Sequence, residues 1–327
     1  MRKLVAILFT FLMIFGPATP AFGWGDKGHK TVGQIAQLHL ANTNTLTRIR
    51  QILRQNETLA SIATWADKVK TESNFKPQAT HPDPDTQAFF RNMANQNNRR
   101  WHFVNLALDC ESYDDCRDFQ KPTDIVKIIN MCITKLRGGN VPQLTPRNAL
   151  RMLVHLVGDI HQPLHVGVGF INVDGANDTI LIETDPTKIL ANDFINDMGG
   201  NKLVIRGEES DNLHSFWDTD LVEELIEDRT VAAFGRDLKD RIQQQPGWNA
   251  QGPLATWAAQ WATDSLQTSR ENAYNTVSIR REIVIEDETK FLIRRGNNYK
   301  SNNRPVVERQ LAKGGYRLAK MLQAIFP

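Results

Sequence analysis

The stretch "HLVGDIHQPLH", residues 155–165, places three histidines and one aspartate in an apolar helical pattern. His155 and Asp159 are four residues apart, so on a helix they share one face, with about 5–6 Å between their Cβ atoms. Pro163 ends a helix, and the turn presents His165 from another direction. Buried imidazoles and carboxylates need compensating partners, and zinc binds both. The stretch therefore predicts part of a metal centre within a helical fold.

Apolar residues recur at helical spacing along most of the chain after residue 24. The predicted helices fall in 29–40, 45–53, 123–136, 148–160, 220–242, 253–267 and 314–326. Alternation typical of strands is limited to 179–184 and 201–207. Clusters of Asn, Asp, Gly and Pro separate the helices, and neither a repeat nor a linker divides them. We expect one mainly α-helical domain over residues 24–327.

Residues 1–23 have the pattern of a secretory signal peptide: two basic residues, a short apolar run and a small-residue end. Ala21 and Gly23 occupy the −3 and −1 positions for cleavage before Trp24. The apolar run is too short for a comfortable membrane span. We therefore expect an exported protein, periplasmic or secreted, without a membrane anchor.

The charge balance argues against a general polyanion-binding surface. The chain has 39 basic and 37 acidic residues, and the signal peptide holds two basic residues and no acidic one. The processed chain is therefore close to neutral. An anionic substrate would need a local positive partner, and bound metal cations would supply one.

The chain has three cysteines. Cys110 and Cys116 flank five residues and are candidates for a disulfide, which export permits. Cys132 is then left over, and we expect it to be a buried free thiol. The alternative is that all three cysteines are reduced.

Further candidate ligands lie outside the first stretch. His214 and Asp218, in "NLHSFWDT", are again four residues apart. Asp67 is a carboxylate within an apolar helical segment, "ATWADKVK", and His102 lies between aromatic residues. Each residue alone is more often structural than metal-binding, but the joint pattern favours a metal centre. Such ligands also suit a structural metal, yet several aspartates favour an open hydrolytic site.

The predicted new N-terminus adds another donor. Cleavage frees the α-amine of Trp24, five residues before His29. An α-amine has a pKa of about 8, so a metal can displace its proton and bind it. A bulky aromatic residue would also anchor such a terminus in the fold.

Together these motifs resemble the zinc-dependent single-strand-specific nucleases of the S1/P1 type. The resemblance is carried by "WGDKGH", "WADKVK", "WHFVNL", "HLVGDIHQPLH", "GGN" and "NLHSFWDT". It implies the helical fold shared with zinc-dependent phospholipase C, and it implies three zinc ions. The implied ligands are Asp67, His102 and His155 for one ion, the Trp24 amine and carbonyl, His29 and bridging Asp159 for its neighbour, and His165, His214 and Asp218 for the third.

The resemblance also implies hydrolysis of single-stranded DNA and RNA to 5′-phosphate products, with 3′-nucleotidase activity and no stable protein partner. Asp67 would orient the attacking water, Lys70 would contact the phosphate, and Phe103 would stack on a base. Thr219 stands where fungal members carry a base-binding Asn, and Asn105 where several carry Asp. These two departures concern base preference rather than hydrolysis.

Residues 168–198 are expected to form a long loop, longer than the usual connection in the resembling family. Its acidic residues are Asp174, Asp178, Glu183, Asp185, Asp193 and Asp197. Because predicted metal ligands lie close to both ends, we expect this loop to line the rim of the site and disfavour long polyanions.

Two rival functions remain open. The first is a phospholipase C, but its first histidine lies further from the terminus, and its last helical pair ends in Glu where this chain has Asp218. The second is a non-catalytic periplasmic zinc-binding protein, against which Lys70 argues. Chelator-sensitive turnover would exclude the second, and phosphatidylcholine against single-stranded DNA would separate the two enzymes.

Overall fold

The computed structural model describes residues 24–71, 81–93, 98–174, 179–205, 212–285 and 287–327, so the predicted signal peptide lies outside it. Most described residues are helical. The helices are α1 (Asp26–His39), α2 (Asn44–Ile52), α3 (Leu59–Ile62), α4 (Trp65–Thr71), α5 (Pro84–Asn92), α6 (Ile125–Leu136), α7 (Pro146–Asp159), α8 (Pro186–Ala191), α9 (Leu213–Ser215), α10 (Leu221–Ile226), α11 (Val231–Arg241), α12 (Trp257–Thr268) and α13 (Tyr299–Ile325).

Three small sheets accompany the helices. In the first, β1 (Leu106–Ala107) pairs in parallel with β2 (Gly167–Val168). In the second, β3 (Phe170–Asp174) lies between antiparallel β4 (Thr179–Glu183) and β5 (Ile195–Asn196). In the third, β8 (Glu288–Arg294) lies between parallel β6 (Leu203–Ile205) and antiparallel β7 (Ser278–Ile285).

Helix α7 runs through the middle of the core. Thr145 caps its first turn through a hydrogen bond from the Asn148 amide, and Pro146 occupies the first helical position. Every residue of α7 after Pro146 is buried. The helix packs on α1, α4, α6 and α13, among others. A helix buried on all sides holds its polar side chains in fixed positions, which suits a metal centre.

The first half of α7 is anchored by an ion network of two buried arginines and three partly buried carboxylates. Arg147 donates to Glu57 at 2.9 Å, to Asp83 at 3.0 Å and to Asp85 at 2.9 Å. Arg151, one turn further on, donates to Asp83 at 2.6 Å and to Glu57 at 3.0 Å. The next two positions at this four-residue spacing carry the candidate ligands of α7. The network therefore fixes the face of the helix that presents them.

Most buried apolar side chains of the described residues form one contiguous cluster, and a smaller one surrounds Trp248 and Tyr316. Helix α13 packs along α1 over this core. The mainly helical class predicted from the sequence is confirmed. None of the helices in the described part of the chain is long and apolar enough to cross a membrane.

Several sequence-based boundaries were wrong. The predicted helix 220–242 is two helices, because Glu227 has a positive φ of 53° and ends α10. The β7–β8 hairpin was missed, since charged residues on the exposed strand β7, "SIRREIVI", hide its alternation. The last helix begins at Tyr299 rather than 314, because its polar first half and internal Pro305 do not resemble a helix.

The segment 168–198 is not the open loop that we expected. It contains β3, β4, α8 and β5, and β4 also packs against β7. Its last acidic residue, Asp197, is fully buried rather than part of an acidic rim. Apolar side chains on one face, such as the buried Ile171, explain why this excursion folds onto the core.

The cysteines follow the first of the two alternatives. Cys110 and Cys116 form a disulfide, with 5.8 Å between their Cα atoms. Cys132 is a free, buried thiol on α6, and burial raises its pKa well above the ordinary value. Cys132 is therefore an unreactive core residue rather than a catalytic or metal-binding residue.

Candidate metal centre

Five predicted ligands from distant parts of the chain meet around the end of α7. They are His29 on α1, Asp67 on α4, His102 in the 3₁₀ turn Arg99–His102, and His155 and Asp159 on α7. All five are buried.

Asp159 lies at the centre of this group. Its Oδ2 lies 2.9 Å from Nδ1 of His102 and 3.0 Å from Nε2 of His155. Its Oδ1 lies 3.2 Å from Nε2 of His29. The two carboxylate oxygens thus face different histidines, so each oxygen would be available to a different bound cation.

Asp67 lies on the other side of the same group. Its Oδ1 lies 3.6 Å from Nε2 of His155 and 3.8 Å from Nδ1 of His102. Lys70, one turn further along α4, places Nζ 2.8 Å from that oxygen. Burial alone would raise the pKa of Asp67, but the charges of His155 and Lys70 outweigh it and lower the pKa. Asp67 is therefore a carboxylate at neutral pH.

Close packing fixes His29 against α7. Its ring stacks on that of His155, with 3.8 Å between the centroids and 19° between the planes. This approach needs a glycine at position 158, since a Cβ there would lie 2.6 Å from Nδ1 of His29. The glycine in the last turn of this buried helix thus has a steric reason.

The third predicted ligand set also comes together. The ligand atoms of this set, one from each residue, lie within 4.8 Å of one another. The three residues are His165, His214 and Asp218, and all are buried. The imidazoles stack with centroids 5.0 Å apart, and Nε2 of His214 lies 3.0 Å from Oδ2 of Asp218. Asp218 lies on a π-helical turn, Phe216–Asp220, a distortion frequent at functional sites.

Backbone carbonyls determine which nitrogen three of these histidines present. Each places Nδ1 2.7 Å from a carbonyl oxygen: His155 at Ala63, His165 at His102, and His214 at Gly199. A carbonyl only accepts, so Nδ1 carries the proton. In a neutral ring Nε2 then offers its lone pair to the site, as metal-binding histidines do.

Several of the converging atoms make no hydrogen bond within the described residues. They are Nε2 of His29, Nε2 of His165, Oδ1 of Asp159 and Oδ2 of Asp218. Leaving a buried polar atom without a hydrogen bond costs about 1–3 kcal/mol. Cations bound at the two ligand groups would satisfy these atoms, so the residues present fit bound metal ions.

The electrostatics of the site also favour a cation. Burial lowers the pKa of His155, but Asp159 and Asp67 outweigh it and raise the pKa above its usual value. Asp218 has the same effect on His214 against the same burial. Both shifts show that added positive charge is stabilised here. Burial and the charge of Lys70 lower the pKa of His102 to about 4, so this ring is a neutral donor at pH 7.

The structure adds one residue that the sequence analysis missed. Gln162 is fully buried; its Nε2 donates to Oδ1 of Asp218 and its Oε1 accepts from the Leu164 amide. It therefore orients a candidate ligand. Its position between two histidines in "HQPLH" was the available signal. The neighbouring His161 joins none of the metal-binding groups: its Nδ1 lies 2.7 Å from the Val157 carbonyl, and its ring lies beside Trp261.

Trp24, the predicted N-terminal ligand, directly precedes α1 and lies next to the turn that carries Asp218. Its side chain is fully buried. The Gly25 amide donates to the backbone carbonyl of Asp218 at 2.8 Å, and a Cβ at Gly28 would lie 2.8 Å from Cβ of Trp24. The start of the described chain is thus packed between α1, which carries His29, and the turn that carries Asp218.

The structure separates the three predicted substrate contacts. Phe103 and Asn105 line a cavity of about 300 Å³, whose walls also include Phe119 and Met198. Phe103 directly follows the candidate ligand His102. Thr219 does not line this cavity; it is exposed and lies beside Gly25. Lys70 is the third contact, and it lies within the metal group.

Comparison with known proteins agrees with this geometry. The model of the family described as S1/P1 Nuclease matches residues 24–327. Endonuclease 3 of Arabidopsis thaliana is 26% identical, over 99% of this chain and 94% of that protein. Nuclease S1 of Aspergillus oryzae is 27% identical over 93% and 92%, and Nuclease P1 of Penicillium citrinum 27% over 92% and 97%.

These relatives decide between the rival functions in favour of a nuclease, an enzyme that hydrolyses ester bonds. The helical fold is the one that nucleases of this type share with zinc-dependent phospholipase C. With its converging histidines and aspartates, the chain belongs to the S1/P1 nuclease family of zinc-dependent phosphodiesterases.

Proposed function

We propose that this protein is an exported endonuclease that cleaves single-stranded DNA and RNA to 5′-phosphate products and also removes the phosphate of 3′-nucleotides. The observation that carries the proposal is the convergence of two ligand groups, one around Asp159 and one formed by His165, His214 and Asp218. The names of the relatives, which are nucleases and endonucleases, support the same chemistry.

Three zinc ions would fit these residues. We assign the first ion to Asp67, His102 and His155. We assign the second to His29 and the Trp24 amine and carbonyl, and Asp159 would be shared by these two ions. We assign the third to His165, His214 and Asp218. When bound, zinc supplies positive charge that activates a water and stabilises the phosphate oxygens.

The protein's own groups would orient the reacting atoms. Asp67 is an ionised carboxylate at the edge of the group, so it can accept a hydrogen bond from a water and fix its direction. Lys70 is largely buried and lies 2.8 Å from Asp67, from where its ammonium can reach a phosphate oxygen. This fixed cation would stabilise the charge that develops on the phosphate during attack.

The cavity beside His102 would hold a base of the substrate. Phe103 and Phe119 line it, and Arg100 and Lys121 contribute positive charge to its wall. Stacking on an aromatic ring suits any base, since every base has a flat face. Paired bases in a duplex are not free to enter such a cavity, which explains a preference for single strands.

The same site implies processing before Trp24. The residues that match the family begin at Trp24. The hydrogen bond from the Gly25 amide to the Asp218 carbonyl supports a position of the Trp24 amine near the proposed ligands. Removal of residues 1–23 would free the amine that the second zinc ion needs.

The first test is hydrolysis of single-stranded DNA by protein beginning at Trp24. We expect 5′-mononucleotides, loss of activity with a chelator and recovery with zinc, and phosphate release from 3′-AMP. Duplex DNA of the same sequence and phosphatidylcholine are the control substrates. A folded, zinc-loaded protein that cleaves neither single-stranded DNA nor RNA would overturn the proposal.

A second version of the protein tests the N-terminal ligand alone. One extra glycine before Trp24 keeps every side chain but moves the free amine away. We expect this version to bind one zinc ion more weakly and to lose most of its activity. Equal zinc content and activity in the two versions would remove Trp24 from the ligand set.

A further inference from the structure

We infer that Asp197 is a positioning residue for the third zinc ion, and that it acts through a strained turn and His214. Asp197 directly follows strand β5 and is fully buried. No sequence motif identified it as functional; its charge was expected on an acidic rim. The inference rests on the proposed zinc ligands His165, His214 and Asp218.

The turn that follows Asp197 has an unusual backbone. Three successive residues have positive φ: Met198 at 58°, Gly199 at 63° and Gly200 at 82°. Each residue with a side chain costs about 1–2 kcal/mol in this region, so Met198 is strained. Such a conformation persists only when its surroundings hold it.

The Asp197 side chain holds this turn from inside. Its Oδ1 accepts from the Gly200 amide at 3.2 Å, and its backbone carbonyl accepts from the Lys202 amide at 3.0 Å. Its Oδ2 accepts from the Tyr274 hydroxyl at 2.8 Å, and that hydroxyl oxygen accepts from the Gly169 amide at 3.1 Å. Asp197 thus ties the turn to Gly169, between β2 and β3, and to Tyr274, which follows the π-helical turn Ser269–Ala273 after α12.

This turn also holds the proposed zinc ligand His214. The Gly199 carbonyl accepts the Nδ1 proton of His214 at 2.7 Å, which directs Nε2 into the site. The position is tight, because a Cβ at Gly199 would lie 2.3 Å from the Leu164 carbonyl oxygen. A turn that relaxed towards ordinary φ values would move this carbonyl and release the His214 ring.

The Asp197 carboxylate has to be ionised for this role, and at near-neutral pH it is ionised. Burial raises the pKa of Asp197 to about 6, although hydrogen bonds from Tyr274 and the turn amides oppose the rise. At pH 7.5 the carboxylate is therefore ionised and accepts on both oxygens. Partners of this kind, one step removed from the metal, typically change zinc affinity by about 10–100-fold.

The test is zinc binding by Asp197→Asn at pH 7.5, measured by competition with a chromophoric chelator and by elemental analysis. The amide keeps the shape but cannot accept on both atoms. We expect two zinc ions at wild-type affinity and the third weakened about 10–100-fold. The matched control is Asp124→Asn: Asp124 is equally buried and accepts from Tyr113 and backbone amides, but holds no zinc ligand. It should keep all three affinities.

A second substitution tests the route through the turn. Met198→Gly removes the strain at φ 58°, so adding it to Asp197→Asn should restore a large part of the lost affinity. If Asp197→Asn does not fold, Tyr274→Phe removes one partner of the carboxylate and should weaken the third zinc ion by a smaller factor.

The outcomes separate this inference from the proposed function. If folded Asp197→Asn and Tyr274→Phe each bind three zinc ions with the same affinities as the wild type, the inference alone is overturned. A wild type that never binds a third zinc ion would overturn the proposed ligand set, and the inference with it.

Discussion

Nδ1 of His29 lies 2.6 Å from the position that a Cβ would take at Gly158. Replacing Gly158 by Ala should improve helix propensity but push His29 away from Asp159. We expect weaker binding of one zinc ion and a fall in kcat/KM of about 100-fold, since misplacement by about 1 Å has that effect. Zinc analysis and steady-state kinetics measure both changes.

The control for this prediction is Gly314→Ala on α13. A Cβ there would make only ordinary contacts, the nearest at 3.4 Å from His161. It should keep wild-type zinc content and activity. Unchanged zinc affinity in Gly158→Ala would show that α7 can shift to accommodate His29.

Gln162 should matter through Asp218. Gln162→Leu keeps a similar volume but removes the donor to Oδ1 of Asp218 and the acceptor for the Leu164 amide. We expect the third zinc ion to bind about 10-fold more weakly. Chelator competition provides the measurement, and Gln162→Glu is informative because it keeps the acceptor while losing the donor. If Gln162→Leu retains full affinity, Asp218 does not need this partner.

Phe103 should affect substrate binding rather than zinc. Losing one base–aromatic stack costs about 1–3 kcal/mol, so Phe103→Ala should raise KM for single-stranded DNA roughly 10-fold or more. Zinc content should not change. An oligomer of abasic deoxyribose phosphates, which has no aromatic ring, is the control substrate, and its hydrolysis should be unaffected. An equal loss on both substrates would indicate damage to His102 instead.

Acid should weaken the ion network at the start of α7. Burial would raise the pKa of Glu57, but hydrogen bonds from Arg147, the Arg54 amide and Arg151 outweigh it and lower the pKa to about 2. A lowered carboxylate pKa stabilises the fold above the unfolded value of 4.5, and this contribution is lost as the pH falls towards about 2.

Glu57→Gln tests this. At pH 7 it should lower the free energy of unfolding by about 1–2 kcal/mol, less than for a fully buried pair, because Glu57 is partly exposed. The difference from wild type should shrink between about pH 4.5 and 2. The free energy of unfolding is measured with urea for both proteins at each pH. The difference between them excludes effects that both share, such as zinc loss. A difference that stays constant down to pH 2 would contradict this account.

The expected effect of segment 168–198 on long polyanions stays a prediction. Deleting the segment would also remove Asp197 and the sheet around β3, so charge removal is the better test. Asp174→Asn with Asp193→Asn should raise kcat/KM for polynucleotides relative to 3′-nucleotides by a few-fold at low salt. The gain should disappear in high salt, where such charges are screened. An unchanged ratio at low salt would exclude the effect.

The sequence by itself determined the fold class and identified the candidate ligands. Spacing of four residues placed His155 with Asp159, and His214 with Asp218, because a helix brings such positions to one face. Local signals also located α1, α6 and α7, where the apolar period is regular. Where both faces carry charge, as in β7, that signal was lost.

Tertiary structure decided everything that depends on distant residues meeting. The approach of His29 to α7, the hydrogen bond from Gln162 to Asp218 and the burial of Asp197 have no local pattern. Each arises because packing of α1, α7 and the β-strands brings together segments far apart in the chain. A buried carboxylate and an exposed one are identical in sequence, and only the surrounding fold tells them apart.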